Sequence, residues 1–248
     1  MIGHFTSGLA AAVIAAMWLV PPPALAQNDA PIAAEDETPP PAPAYKPPPR
    51  GAPGGRVGGA SRGTVKVTAP LPTIELLAPD GHTGLTTGAT PTLYFFVSQP
   101  IAWPTQFTIS TASQPRPLLE VNIPAPRQPG VYSIRTADYP VRLEPGVLYT
   151  WSVSVILNPK SRSRDIVASA SLLRTAAEST LEVGLGAALP NRRAVLLAQA
   201  ELWYDAVAAA AKTANLDRHA TLDALMTEVG LVEPARYDRQ FAGAGRVR

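Results

Sequence analysis

From Tyr149 to Val155 the chain reads YTWSVSV, with Tyr149, Trp151, Val153 and Val155 apolar and the residues between them polar. A two-residue period sends alternate side chains to opposite faces, so this segment predicts a half-buried β-strand. Ile166, Ala168, Ala170 and Leu172 continue the period beyond a turn-rich, basic loop from Asn158 to Asp165, which makes the two segments a hairpin. Five further short runs are set off by Pro, Gly and Asn: Thr73–Leu77, Thr92–Ser98, Gln106–Ser110, Leu118–Ile123 and Val131–Thr136. With Tyr149–Leu157 and Asp165–Leu173 they make seven strands, the number and spacing of an antiparallel immunoglobulin- or fibronectin-like β-sandwich over 65–176. Ahead of Tyr149, the sequence Leu143-Glu144-Pro145-Gly146 reads as a corner turn that the Tyr149 hydroxyl closes onto upstream backbone, with Trp151 in the core.

The period changes after Leu173. Leu196, Leu197, Ala200, Trp203, Tyr204, Val207, Ala208 and Ala211 recur every three or four residues, which predicts one amphipathic helix from Arg192 to Lys212. A second helix is expected from Arg218 to Val229, with Asp217 as its cap and Gly230 as a left-handed stop. A weaker one, Leu181 to Ala188, carries Gly184 and Gly186, which lower its propensity. The fold class is therefore α+β, a sandwich followed by a small tetratricopeptide-like helical hairpin module over 177–233 and a flexible tail over 234–248. One such helical unit cannot cover its own apolar face. It must pack on the sandwich or on a partner, and Trp203 is the anchor expected in either case.

The first 64 residues have another character. Leu9 to Val20 is a run of twelve apolar residues, shorter than the roughly 20 a spanning helix needs but suited to the apolar region of a signal peptide. Ala24-Leu25-Ala26 supplies the small–x–small cleavage pattern, which places the cut between Ala26 and Gln27 and the mature chain in the periplasm or outside the cell. No transmembrane segment is expected after that cut. Twelve of the 28 prolines fall between Pro21 and Pro53, so 27–64 reads as a disordered Pro/Gly-rich linker. Its end, Arg50 to Gly63, lacks the GK[ST] of a phosphate loop and reads as a flexible lead-in to the first strand. Without Cys there is neither a disulfide framework nor a thiolate metal site. A net charge of +2, with acids and bases interspersed, gives no electrostatic footprint for nucleic acid.

Candidate chemistry is sparse. Past the signal segment the His residues are His82, in a turn with Asp80, and His219. No GxSxG turn offers a nucleophile, and nothing unites Glu75, Glu120 and Glu144 into a carboxylate pair for sugar hydrolysis. No cofactor and no catalytic constellation is expected. Tyr94-Phe95-Phe96 is a continuous aromatic run, so one face of its strand is apolar on the side away from the sandwich core. That face meets the helical module or forms a platform for protein or carbohydrate. Candidate interaction residues are therefore Trp203, Tyr94, Phe96 and the loop cations Arg162 and Arg164.

Four separated segments, RGAPGGRVGG (Arg50–Gly59), GLTTGATPTLYFFV (Gly84–Val97), Leu143–Val153 and ELWYDAV (Glu201–Val207), occur in an order that resembles domain-of-unknown-function family 928. The resemblance covers about Arg50 to Leu231. It implies an uncharacterised exported protein of the kind best represented in cyanobacteria, with no activity to carry over. Two local departures are the basic loop after Leu157 and Leu189, where a helix-capping Thr is usual. The functional expectation is a non-enzymatic envelope binding or protein-interaction module, its partner an unknown envelope protein or glycan. The alternative is a carbohydrate-binding or carbohydrate-hydrolysing envelope protein.

Overall fold

A computed structural model describes residues 44–47, 56–58, 71–176, 178–213 and 215–240. The signal segment with its cleavage site at Ala26 and Gln27, most of the 27–64 linker and the tail residues 241–248 lie outside the described residues.

The described strands are β1 (Val57–Gly58), β2 (Ile74–Leu76), β3 (Gly84–Thr86), β4 (Thr92–Val97), β5 (Thr105–Thr111), β6 (Leu119–Ile123), β7 (Gly130–Arg135), β8 (Leu148–Val155) and β9 (Ile166–Arg174). They form a four-stranded sheet, β1-β2-β4-β7, and a five-stranded sheet, β3-β9-β8-β5-β6. All seven predicted strands are present, with ends within two residues of those expected. The Tyr149–Val155 alternation becomes register. Trp151 lies opposite Ile109 and Ala170, and Val153 opposite Phe107 and Ala168, all on one buried face. Tyr149 closes its corner as expected, its hydroxyl accepting the Glu144 N–H at 2.8 Å.

Two strands were not expected. β1 arises inside the Gly-rich lead-in because it passes very close to β9, where a Cβ on Gly58 would stand 2.7 Å from the Val167 carbonyl carbon. β3 arises in the segment after His82 and runs parallel to β9, Gly84 opposite Leu172 and Leu85 opposite Leu173. The sheets are thus mostly rather than wholly antiparallel.

The helices are α1 (Ser179–Ala187), α2 (Pro190–Gln199), α3 (Trp203–Lys212), α4 (Asn215–Glu228) and α5 (Val232–Gln240). The single helix expected from Arg192 to Lys212 is corrected to two. Leu202 N–H returns to the Leu197 carbonyl and Glu201 N–H to that of Ala198, each at 3.0 Å, with Glu201 at φ 66°. Those bonds end α2 in a left-handed turn. Breaking there lets both halves bury apolar faces: Ala194, Val195, Leu197 and Ala198 on α2, and Trp203, Tyr204, Ala206, Val207 and Ala210 on α3. Leu189 flanks α2, 71% exposed and without a side-chain cap bond. The tail expectation is corrected as well, since α5 begins at Val232. Pro234 falls in its first turn, where the missing N–H removes no helical bond. Tyr237 packs on Phe96 at 5.4 Å between ring centroids and donates its hydroxyl to the Pro129 carbonyl at 2.8 Å.

These contacts set the order of layers. One face of β4 and β2, with Leu93, Phe95, Val97, Ile74 and Leu76, is turned to the five-stranded sheet and is at most 2% exposed. The other, with Tyr94, Phe96 and Glu75, is covered by helices and by Arg56. Sheets and helices share one hydrophobic core. Among the described residues no helix is long and apolar enough to cross a membrane.

Candidate functional site

The aromatic residues considered for interaction lie inside the fold. Trp203 is fully buried, its ring edge-on to Tyr45 and its Nε1–H donated to the Leu77 carbonyl at 2.8 Å. Tyr94 and Phe96 are 5% and 4% exposed, so the platform reading of the aromatic run is corrected: the chain's own helices cover that face. Arg162 and Arg164 sit in a short helical turn between β8 and β9. Arg162 is held by Asp165 and by Gln106 Oε1 at 2.9 Å, whereas Arg164 is exposed.

Residues of the four sequence motifs meet instead at the seam between sheets and helices. Tyr204 enters the core, where its hydroxyl accepts the Trp151 Nε1–H at 2.9 Å and donates to the Ser171 carbonyl at 2.8 Å. Burial raises the pKa of its phenol. A Cβ at Gly84 would stand 2.5 Å from the Tyr204 ring, which is why the GLTTG segment opens with Gly. Asp205 then accepts from Thr86 Oγ1 at 2.6 Å, Thr87 N–H at 2.7 Å and Thr87 Oγ1 at 2.9 Å. Arg56 reaches the carbonyls of Val229 at 2.7 Å and Gly230 at 2.8 Å and lies 3.5 Å from Glu75. Burial still holds the Glu75 carboxyl above its ordinary pKa, although Arg56 opposes this. The motifs therefore describe how two layers are joined.

The remaining candidates are dispersed. Glu75 is buried beside Arg56, Glu120 is exposed on β6, and Glu144 stands in the corner before β8. His219 Nδ1 pairs with Asp238 at 2.6 Å, joining α4 to α5, and His82 Nε2 faces the Tyr45 hydroxyl at 2.9 Å. Among the described residues no group of three His, Asp or Glu is arranged to hold a metal.

What the sequence did not reveal is a cleft of about 400 Å³ between the end of β9, α1 and the α2–α3 turn. Leu85, Leu181 and Leu202 supply apolar wall, and Thr175, Glu178, Gln199 and Glu201 supply hydroxyl, carboxylate and amide groups. Neither carboxylate is paired with a cation among the described residues. Among the described residues, Glu201 is also the one other than Gly with a positive φ, at 66°. Left-handed backbone is unfavourable for a side chain with a Cβ, by roughly 1–2 kcal/mol. The sequence carried no signal for this, because a Glu inside a helical period reads as a solvated helix position.

Comparison with curated proteins and with solved structures gives no match. The model of one family matches residues 57–237, which takes in both sheets, the cleft and most of the helical layer. By that match the chain belongs to the family described as Domain of Unknown Function (DUF928).

Proposed function

We propose that this is an exported, non-enzymatic binding protein of the cell envelope, and that the cleft beside the α2–α3 turn is its binding site. The observation that carries the reading is Glu201. A residue is kept in strained, left-handed backbone where Gly would relieve the strain, and it lines a cleft of about 400 Å³ that opens to solvent. A cleft of about 400 Å³ is in the range of small-ligand sites. The sequence supports export through the Leu9–Val20 run and the Ala24-Leu25-Ala26 pattern. An immunoglobulin- or fibronectin-like reading of the two sheets draws support from the seven-strand pattern and the Tyr149 corner bond. A second reading, carbohydrate binding, is favoured by the polar side of the cleft, where Thr175, Glu178, Gln199 and Glu201 offer the donors and acceptors that sugar hydroxyls require.

Retention on peptidoglycan and on a glycan array, measured for the wild type and for Glu201→Gln, tests both. Loss of a charged hydrogen bond should weaken retention by roughly ten- to a hundredfold. If glycans are not retained but an envelope protein co-purifies in a Glu201-dependent way, the ligand is protein. Retention indifferent to Glu201 would show that the cleft is not the site.

A further inference from the structure

Ala44–Pro47 comes from the Pro-rich run read as a linker and lies ahead of the family match, yet Tyr45 is only 7% exposed. Its ring stands edge-on to Trp203, centroids 4.9 Å apart, and stacks on the His82 imidazole at 5.5 Å. Its backbone N–H donates to Glu228 Oε2 on α4 at 2.7 Å, and the Lys46 N–H reaches the Ala198 carbonyl on α2 at 3.4 Å. Three helices and the His82 loop thus hold one Tyr of the N-terminal run.

The state of the Tyr45–His82 bond follows from its surroundings. Burial raises the pKa of the Tyr45 phenol, with Tyr204 and Glu201 acting in the same direction, so the hydroxyl keeps its proton and donates. His82 Nε2 then accepts, and the imidazole is the neutral tautomer with its proton on Nδ1, toward the Asp80 backbone. We propose that Ala44–Pro47 is an acid-released strap. It is docked while His82 is neutral, and it leaves the helical layer when Nε2 takes a proton and can no longer accept the Tyr45 hydroxyl.

Burial lowers the pKa of His82 from its ordinary 6.5, while the Asp80 backbone bond and carboxylate oppose the shift. A base with a depressed pKa in the docked state releases its proton on docking. Docking is therefore complete above pH 6.5 and is lost as the pH falls below it, through the docked value. The charged or titratable groups around the bond are Asp80 from the same loop, Tyr45 and Lys46 from the strap, Glu228 from α4, Glu201 from the α2–α3 turn and Tyr204 from α3. Of these side-chain types and His, imidazole is the one that ordinarily changes charge between about pH 5 and 8.

Hydrogen exchange of the mature chain at about pH 7.5 and about pH 5, corrected for intrinsic rates, reads docking at the Tyr45 and Lys46 amides. Their protection should fall about tenfold for each pH unit by which the docked imidazole lies below the free one, while β8 and β9 amides stay protected. In His82→Gln, whose amide oxygen accepts at every pH, the strap should show no such fall. Equal wild-type protection at both pH values overturns the proposal. So does an equal fall in His82→Gln, or a fall shared by β8 and β9. A second measurement needs no docked variant: the NMR titration midpoint of His82 should rise in Tyr45→Ala relative to wild type, and unchanged midpoints would equally overturn it.

Discussion

Two helices of this protein end in the same turn with different residues in it. At the end of α4, Leu231 N–H bonds to the Met226 carbonyl at 2.7 Å and Gly230 N–H to that of Thr227 at 3.1 Å, with Gly230 at φ 71°. At the end of α2 the same pair of bonds runs from Leu202 to Leu197 and from Glu201 to Ala198, with Glu201 at φ 66°. Gly adopts this conformation without steric conflict, whereas Glu does not. Each turn delivers a buried residue just after it, Leu231 in one case and Leu202 with Trp203 in the other. The first stop is thus dictated locally by Gly. The second is imposed by burial that lies beyond it, and the energy stored at Glu201 is offset there.

Removing the burial beyond the strained turn has the largest effect expected of a single change. Trp203→Ala deletes a fully buried indole, its contact with Tyr45 and its bond to Leu77. A loss of about 3–5 kcal/mol is expected from denaturant unfolding. A loss below about 1 kcal/mol would mean that something other than Trp203 holds the Glu201 turn, and the comparison would break at its stronger end.

The next effect tests the other turn. Gly230→Ala places a Cβ whose nearest neighbour is Arg56 Nη2 at 3.6 Å, an ordinary contact, so only the backbone conformation opposes it. The expected loss is about 1–2 kcal/mol in the denaturant midpoint. A change within about 0.5 kcal/mol would show that this turn accepts a side chain freely, and the strain assigned to Glu201 would go with it.

The same pair explains what could be read from the sequence. Strands were legible because burial on one face imposes a period of two, as at Tyr149–Val155, and turns between them carry Pro and Gly. β1 and β3 were not, since Gly58 and Gly84 are there for close approach to Val167 and Tyr204, partners distant in the chain. The end of α4 was legible through Gly230, and that of α2 was hidden by a residue that breaks the local rule. Tyr45 was hidden in the same way, since composition assigns its neighbours to a linker while one aromatic ring supplies the docking. The cleft drew its residues from β3, the end of β9, α1 and the α2–α3 turn, and no spacing in the sequence connects them. Locally inconsistent positions are where function is most often found.

Glu201→Gly carries the smallest effect and decides the most. It makes the α2 turn chemically the same as the α4 turn, so the left-handed strain is relieved. The gain is partly offset because Gly adds freedom to the unfolded chain, by about 0.4–1 kcal/mol. The net expectation is a stabilisation of about 0.5 kcal/mol, read as a higher denaturant midpoint. Among the described residues the Glu201 carboxylate forms no ion pair that would be lost with it. A more stable variant that no longer binds at the cleft would show that Glu201 is retained for recognition at the expense of stability. A less stable variant would show instead that the side chain itself supports the turn and is not retained for recognition at the expense of stability.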